Sequence, residues 1–229
     1  MNMGFSRMLI ADPQPVGDPA WFAAEAKRLA WNAEGIFDTR EIHGTLDQAL
    51  ASFTLVVGTS SRPRPGAQVL TPEEAASVIA AHLAPQETGQ VALLLGQEDS
   101  GLGHEEQVRC HRVASIAASP TYPSLNLSQA ALLFLYEIRL ALLQSSTGES
   151  TPGGSKGDAV VHPSASRLAH FYGRLEEALG AIQFFEGAGQ AHMMRELKGL
   201  FNRALLDERE LAILEGIVHR IHWTATRGR

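Results

Sequence analysis

The chain has 229 residues, of which 45% are hydrophobic and 19% are charged. This length supports one good core with a small additional domain, and the apolar fraction excludes global disorder. The single cysteine, Cys110, fits a reduced cytosol, so we expect a cytoplasmic protein.

The formal net charge of −6 opposes binding to a polyanion, because such affinity comes from Lys and Arg side chains that neutralise phosphates. The charge is unevenly distributed, since residues 165–229 hold nine basic and eight acidic side chains. Five of the nine histidines also follow residue 160. The net charge of residues 165–229 is therefore +1, which favours this tail as the part of the chain that contacts a polyanion. A solvated helix surface explains the same charge equally well.

Short apolar runs alternate with helical patterns through the first 95 residues. They lie at Met8 to Ala11, Ala20 to Trp31, Leu55 to Gly58, Thr71 to Ala84 and Val91 to Leu95. This alternation predicts an α/β fold with a parallel sheet. The helix after Thr71 has the clearest start, because Thr71-Pro72-Glu73-Glu74 combines a capping hydroxyl, a first-turn proline and a reciprocal Glu.

The longest apolar segment runs from Ala130 to Leu143 and is interrupted by Glu137 and Arg139. These charges argue against a membrane span, so we expect no membrane partner. We interpret the segment as a buried core helix that also contributes to a subunit contact. The amino end, Met1 to Ala11, lacks the basic and apolar pattern of a secretory signal.

A break in the pattern follows this segment. Residues 144–164 are dense in Ser, Gly, Thr and Pro, which predicts a flexible linker and divides the chain into 1–144, 145–164 and 165–229. Apolar stripes at helical spacing then predict a bundle of three short helices. The stripes are Leu168, Tyr172, Leu175, Leu179 and Ile182, then Met193, Leu197, Leu200 and Phe201, then Leu211, Leu214, Val218 and Ile221. Asp207 and Glu210 mark the start of the last helix.

Three unusual loops lie in one order between Leu93 and Ser128. The first, Gly96 to Leu102 (GQEDSGL), follows a buried-strand pattern and begins with a tight glycine turn. The second is Ile116-Ala117-Ala118, and the third runs from Pro123 to Ser128 (PSLNLS).

Other site types are excluded by what these segments lack. Residues 96–103 have glycines but no Lys-Ser or Lys-Thr pair for a P-loop, and no third glycine for a dinucleotide fingerprint. His104, Cys110 and His111 lie close in sequence, but they have no second cysteine pair and no fourth ligand for zinc. We therefore expect no metal and a structural or surface role for these three residues.

In order and spacing the three loops resemble the SPOUT superfamily of RNA methyltransferases, specifically the TrmH type, with its G-x-E-x-x-G-L, strand-ending Ile and S-L-N motifs. The segment from Leu55 to Arg62 (LVVGTSSR) is similar to the V-V-G-T-S-A-R strand and loop of the TrmJ branch, which methylates ribose in the tRNA anticodon loop. The tail is similar to the carboxy-terminal helical extension of that branch. The likeness covers nearly the whole chain.

The resemblance implies a trefoil-knotted SPOUT domain, with the knot threading the region from Val91 to Gln144 against the usual rule for chain connections. It implies S-adenosyl-L-methionine as cofactor, tRNA as partner and a homodimer joined through the helix from Leu127 to Leu143. The tail would help to hold tRNA. The residues implied to bind the cofactor are Thr59, Ser60, Ser61, Gly96, Ile116, Pro123, Ser124 and Leu125.

The resemblance also implies roles for three side chains. Glu98 would order the loops of the site, and Ser124 and Asn126 would lie near the methyl donor and the ribose. Taken alone, Glu98 is more simply a solvated acid of a turn, but its place within the ordered motifs favours the functional reading. Asn126 is also suited to cap the helix that follows, and we expect it to serve both purposes.

The amino end departs from the family pattern, which begins with a strand, an N-x-G-x-x-x-R loop and a helix. Met1 to Phe5 match the end of that helix, so the proposed catalytic arginine of the family has no counterpart, and neither Arg7 nor Arg28 lies in a matching motif. Either the recorded start is an internal methionine of a longer protein, or this is a short form without catalysis. In both cases we expect a weakened fold and low activity.

Three functions are open at this stage. The leading hypothesis is a methyltransferase that acts on a ribose 2′-hydroxyl of tRNA, most simply at cytidine or uridine of the anticodon loop. The alternatives are a ribose methyltransferase of rRNA and a non-catalytic RNA-binding or dimerisation protein that retains the donor fold. An unrelated α/β ligand-binding protein would require all three ordered motifs to be coincidental.

Overall fold

The computed structural model forms two compact units, Met1–Ala51 and Ser52–Arg229. The residues that the structure describes are 3–13, 19–30, 33–64, 67–84, 89–119, 121–122, 124–146, 160–185 and 189–227.

The first unit is a small parallel β-α-β arrangement. Its elements in chain order are β1 (Leu9–Ala11), α1 (Pro19–Ala30), α2 (Glu34–Asp38), β2 (Glu41–His43) and α3 (Leu46–Leu50). The two strands pair in parallel with Leu9 opposite Glu41, and α3 packs on both of them. Thr45 begins α3, since its hydroxyl accepts a hydrogen bond from the backbone N–H of Gln48 at 3.2 Å.

The second unit contains a four-stranded parallel sheet and six helices among its described residues. In chain order these are β3 (Leu55–Thr59), β4 (Val69–Leu70), α4 (Pro72–His82), β5 (Val91–Leu94), α5 (His104–Val108), β6 (Arg112–Ala114), α6 (Leu127–Ser146), α7 (Ala165–Ala181), α8 (Gln190–Ala204) and α9 (Glu208–Arg227). The strand order is β4-β6-β3-β5. Leu55, Val56 and Val57 of β3 are fully buried, which places the centre of this core on β3.

The predicted parallel α/β fold is confirmed, because every strand pair among the described residues is parallel. The predicted start of α4 is also confirmed. The Thr71 hydroxyl accepts a hydrogen bond from Glu74 N at 3.2 Å, and the Glu74 carboxylate accepts one from Thr71 N at 2.8 Å. The strand expected to end at Ile116 ends two residues earlier, at Ala114.

The long apolar helix α6 packs on the core with one face, as a core helix should, and its other face is exposed. It packs along α4 and buries Phe134 and Ile138. Leu132 and Tyr136 are about half exposed on its other side. Its length and composition alone would permit a membrane span, but a single helix of this kind is weak evidence, and the core of this unit accounts for its buried face.

The tail forms the three predicted helices α7, α8 and α9 around a core of their own. Two positions of the predicted stripes are wrong. Ile182 follows the end of α7 and is 47% exposed, and Leu200 is 50% exposed on α8. Met194, one position after the predicted Met193, is the buried α8 residue of this core, and the predicted Leu197 and Phe201 pack against it. The predicted start of α9 is confirmed, because Asp207 and Glu210 exchange backbone-to-carboxylate hydrogen bonds.

The helices of the tail pack against the sheet region of the same unit. Asn202 of α8 is buried, and its Nδ2 donates to the carbonyl of Val108 at 2.7 Å. The backbone N–H of Ala165 donates to the carbonyl of Phe53 at 2.9 Å, and the rings of His82 and His162 stack with centroids 4.9 Å apart. Residues 147–159 of the predicted linker lie outside the described residues, so the linker stays a prediction.

Candidate functional site

Three loops leave the sheet at the carboxyl ends of its central strands. They are numbered by the strand that each one follows. The first begins at the end of β3 and holds Thr59 to Ser61, the second comes after β5 and holds Gly96 to Leu102, and the third comes after β6 and holds Ile116 and Ser124 to Asn126. Because β5, β3 and β6 are parallel neighbours, all three loops begin at the same edge of the sheet. The predicted site residues lie on these loops.

The first loop is anchored to both neighbouring strands. The Thr59 hydroxyl donates to the carbonyl of Leu94 at 3.3 Å, which joins it to the end of β5. The backbone N–H of Ser60 donates to the carbonyl of Ala114 at 3.0 Å, which joins the loop to the end of β6. Ser61 is exposed. The loop therefore lies across the carboxyl edge of β3, with Ser60 and Ser61 at its turn.

The second loop needs glycine at two positions. A Cβ atom at Gly96 would collide with the backbone of Gly101 and Leu102, so only glycine allows this approach. Gly101 has φ of +66°, in the left-handed region, and its N–H donates to the carbonyl of Gln97 at 2.8 Å. The G-x-x-x-x-G spacing thus encodes one tight turn that presents Glu98 and Asp99 to solvent.

Glu98 and Asn126 are brought together from the second and third loops. Asn126 Nδ2 donates to Glu98 Oε1 at 2.6 Å. Asn126 Oδ1 also accepts hydrogen bonds from the N–H and the hydroxyl of Ser128, at 2.9 and 2.6 Å. The asparagine therefore caps the start of α6 with its oxygen, as expected, while its nitrogen binds the Glu98 carboxylate, a contact that the sequence did not predict.

The remaining predicted residues lie on the third loop. Ile116 is partly buried two residues beyond β6, and Ser124 and Leu125 are exposed just before α6. Pro123 lies outside the described residues. Within the part of the chain that the structure describes, no hydrogen bond joins Ile116, Ser124 or Leu125 to the first two loops.

Gln107 of α5 contacts two of these loops and was not recognised in the sequence. Its side chain is almost fully buried, and its Nε2 lies 2.9 Å from the carbonyl of Leu102, 3.2 Å from that of Arg62 and 3.3 Å from the hydroxyl of Ser60. Its Oε1 accepts the N–H of Arg64 at 3.0 Å. Nothing in the local sequence marks this glutamine as buried.

Beside Gln107, a recess of about 350 Å³, counted with its open mouth, carries three arginines. Arg64 and Arg112 come from the sheet region and Arg203 comes from α8. Arg64 Nε is buried and has no hydrogen-bond partner among the described residues. Arg112 donates to the carbonyls of His111 and Arg203 at 2.9 and 2.8 Å, and burial lowers its pKa. None of the ion pairs between described residues uses these arginines.

Cys110 and His111 are buried between the sheet and α5. Burial raises the pKa of the Cys110 thiol to about 12, and its sulfur contacts the carbonyl of Glu106 at 3.4 Å. His111 Nδ1 accepts the N–H of Val56 at 3.0 Å, and burial lowers its pKa to about 4. Both side chains have structural contacts, and the described residues contain no cluster of three His, Cys, Asp or Glu suited to a metal ion.

Comparison with known proteins identifies the family. The profile of the SpoU rRNA methylase family matches residues 1–136, and that of the carboxy-terminal domain of the tRNA methyltransferase TrmJ matches residues 166–229. A tRNA (cytidine/uridine-2′-O-)-methyltransferase TrmJ from Sodalis glossinidius is 37% identical over 226 residues, which cover 97% of this chain and 83% of that protein. Its counterpart in Escherichia coli K12 is 36% identical over 222 residues, covering 96% and 85% of the two chains.

Solved structures agree with these matches. The crystal structure of TrmJ from Z. mobilis ZM4 has the same fold with a TM-score of 0.76 at 23% identity, and the match covers 96% of this chain and 88% of that one. A probable methylase family protein from Haemophilus influenzae Rd KW20 has a TM-score of 0.57 at 29% identity, over 100% and 89% of the two chains. The chain belongs to the SpoU methylase family of SPOUT methyltransferases, in its TrmJ-like branch. Its reaction class is methyl transfer to RNA.

Proposed function

We propose that this protein transfers a methyl group from S-adenosyl-L-methionine to a ribose 2′-hydroxyl of tRNA, at cytidine or uridine of the anticodon loop. The observation that carries the proposal is the Asn126–Glu98 hydrogen bond, which joins two motif loops at the carboxyl edge of the sheet. The relatives with this activity in their names match nearly the whole chain.

The residues at this edge suit the proposed donor. S-adenosyl-L-methionine supplies a methyl group on a positively charged sulfonium. The exposed carboxylates of Glu98 and Asp99 favour a cation at the second loop, since opposite charges attract across such short distances. The tight turn at Gly96 and the small side chains of Ser60 and Ser61 would suit recognition of the donor by main-chain groups.

Within this proposal the loops act mainly by alignment. The ribose oxygen must approach the methyl carbon in line with the carbon–sulfur bond that breaks, and fixed geometry supplies much of the rate enhancement for such a reaction. Thr59, Ser60, Ser61, Gly96, Ile116, Pro123, Ser124 and Leu125 would hold the donor. Glu98 would fix the position of Asn126, which together with Ser124 would face the donor and the ribose.

We assign RNA binding to the sheet region and to the helical tail of the second unit together. The recess lined by Arg64, Arg112 and Arg203 supports this assignment, because cations without carboxylate partners are suited to phosphates. Residues 1–144 would form the knotted methyltransferase domain, 145–164 the linker and 165–229 a helical domain that aids tRNA binding. The enzyme would act in the cytoplasm.

We also propose a homodimer formed through α6. Its exposed apolar side chains support this, since a contiguous apolar surface of this kind marks an interaction site more often than chance exposure. They are Leu132, Leu133, Tyr136 and Leu143.

The first test is transfer of labelled methyl to unmodified bulk tRNA and, separately, to unmodified rRNA. We expect labelling of tRNA and at least a tenfold lower rate for Asn126→Ala. Asn126→Ser is the matched variant, since a serine can cap α6 but does not reach Glu98, and it should be impaired almost as much. Ser128→Ala keeps the Asn126–Glu98 contact and should retain most activity.

The outcomes separate the candidates. Labelling of rRNA in place of tRNA would support the alternative substrate that the SpoU family description mentions. Donor binding without transfer to either RNA would favour the non-catalytic alternative. Wild-type rates for Asn126→Ala would contradict the role assigned to this residue.

A further inference from the structure

Gln107 forms a polar connection between the first and second loops. Its exposed fraction is only 2%, yet its amide is surrounded by backbone and hydroxyl groups of both loops. The two hydrogens of Nε2 are shared among three acceptors, the Leu102 carbonyl of the second loop and the Arg62 carbonyl and Ser60 hydroxyl of the first, and Oε1 accepts from Arg64 N of the first. One side chain therefore satisfies groups from two separate segments.

The groups around this position select an amide. A buried amide loses its hydration and is tolerated only when hydrogen bonds replace it, and an apolar side chain of the same size would leave the loop groups that Gln107 binds without their partner. Most of the partners of Gln107 lie 43 to 47 residues away in sequence. The amide therefore fixes the position of one loop relative to the other.

The two loops that Gln107 connects carry the proposed donor-binding residues. At the second loop, the Leu102 carbonyl belongs to the segment that packs directly against Gly96. At the first loop, the Ser60 hydroxyl also accepts the N–H of Arg62 at 3.0 Å, so the contact from Gln107 adds to the geometry of that turn. A shift of either contact would change the distance between Ser60 and Gly96.

We propose that Gln107 is a positioning residue for methyl transfer, which holds the Ser60 and Gly96 loops at the spacing that the methyl donor requires. This inference rests on the proposed function, because it assigns the donor to these loops. Gln107 acts through the loops and does not itself contact the donor in this account. Its loss should therefore weaken donor binding.

The test compares Gln107→Leu and Gln107→Glu with a matched control, Asn202→Leu. Leucine removes the amide at similar volume, and glutamate keeps one acceptor but loses the amide donors. Asn202 is a second buried amide, which donates to the neighbouring Val108 carbonyl and accepts the Tyr172 hydroxyl at 2.6 Å. Its loss disturbs the same helix α5 without touching either loop.

Three measurements are made on each variant of this chain. Calorimetric titration with S-adenosyl-L-methionine should show at least tenfold weaker binding for both Gln107 variants and less than a threefold change for Asn202→Leu. In steady-state kinetics the KM for the donor should rise accordingly. Hydrogen exchange should accelerate in residues 60–64 and 96–102 of the Gln107 variants and not in the control.

The possible results are distinguishable. Donor binding by Gln107→Leu within twofold of wild type, or equal weakening by Asn202→Leu, would overturn the inference and leave the proposed function intact. A wild-type chain that binds no donor would overturn the proposed function. In that case hydrogen exchange alone would test the positioning role of Gln107. Unchanged hydrogen exchange in both loops of the Gln107 variants would overturn that role as well.

Discussion

The Asn126 side chain uses its two polar atoms for different purposes. Its oxygen accepts two hydrogen bonds from Ser128 at the start of α6, and its nitrogen binds Glu98. The cap was predictable from the sequence, because an asparagine directly before an apolar run is a local signal. The contact with Glu98 was not, since 28 positions separate the two residues. The role of Asn126 near the donor and the ribose stays a prediction.

Gln107 illustrates what the sequence does not show at this scale. A lone glutamine in the segment from His104 to Val108 has the pattern of a solvated side chain, next to two glutamates. Its role depends on Ser60, Arg62 and Arg64, which approach it only after the sheet has formed. Burial of a polar group is a property of tertiary packing and has no local signature.

The buried histidine His111 gives a prediction on pH. Burial lowers its pKa from 6.5 to about 4, so the folded state disfavours the protonated ring. Its contribution to stability is therefore complete above pH 6.5 and is lost as the pH falls toward 4. Between pH 7 and 5.5 the free energy of unfolding should fall by about 1 kcal/mol from this residue.

Urea denaturation of wild type and His111→Gln at both pH values measures this loss. Glutamine can accept the N–H of Val56 but does not titrate, so the variant should show a smaller change between the two pH values. His104→Gln, at an exposed histidine of α5, should keep the wild-type dependence. An identical pH dependence in wild type and His111→Gln would show that burial of this ring does not govern acid stability.

At the scale of elements, length decided what the sequence revealed. The helices α1, α4 and α6 to α9 have at least eleven residues, which is enough for a 3.6-residue period to repeat. The elements without a prediction have two to five residues each. The apolar periodicity wrongly placed Ile182 in the core, because periodicity does not fix where a helix ends. It also wrongly placed Leu200 there, because periodicity does not fix which of two adjacent positions faces the core.

The exposed face of α6 gives a prediction on assembly. If two protomers associate through Leu132 and Tyr136, placing glutamate at both positions puts like charges into the contact and disfavours association. At micromolar concentration, light scattering should give the mass of a dimer for wild type and of a monomer for the double variant. Ile213→Glu, at an equally exposed apolar position of α9, should remain dimeric. A monomeric wild type would exclude the proposed dimer.

At the scale of the whole molecule, the net charge of −6 hides a local basic surface. Charge counting favoured the tail as the face for RNA, and Arg203 does belong to the tail. Arg64 and Arg112 join it from the sheet region, with Arg112 and Arg203 separated by 91 positions in sequence. No summation along the chain reveals this recess, because the three arginines meet only when α8 packs against the sheet.

The motif loops and the helical tail belong to the same unit of the folded molecule. The motif loops start from neighbouring parallel strands, and the tail packs on the same unit through Asn202. Strand order was not predictable from the motifs, since β3 pairs with both β5 and β6 only in the folded sheet. The family match to residues 1–136 and 166–229 corresponds to these two regions.

The measurement that tests the account most directly is the identity of the methylated nucleoside. Unmodified tRNA is incubated with the protein and S-adenosyl-L-methionine, digested, and mapped by mass spectrometry. The account predicts 2′-O-methylcytidine or 2′-O-methyluridine from the anticodon loop, and its absence when Asn126→Ala replaces the wild type. A methyl group on a base, or tRNA that remains unmethylated, would contradict the account.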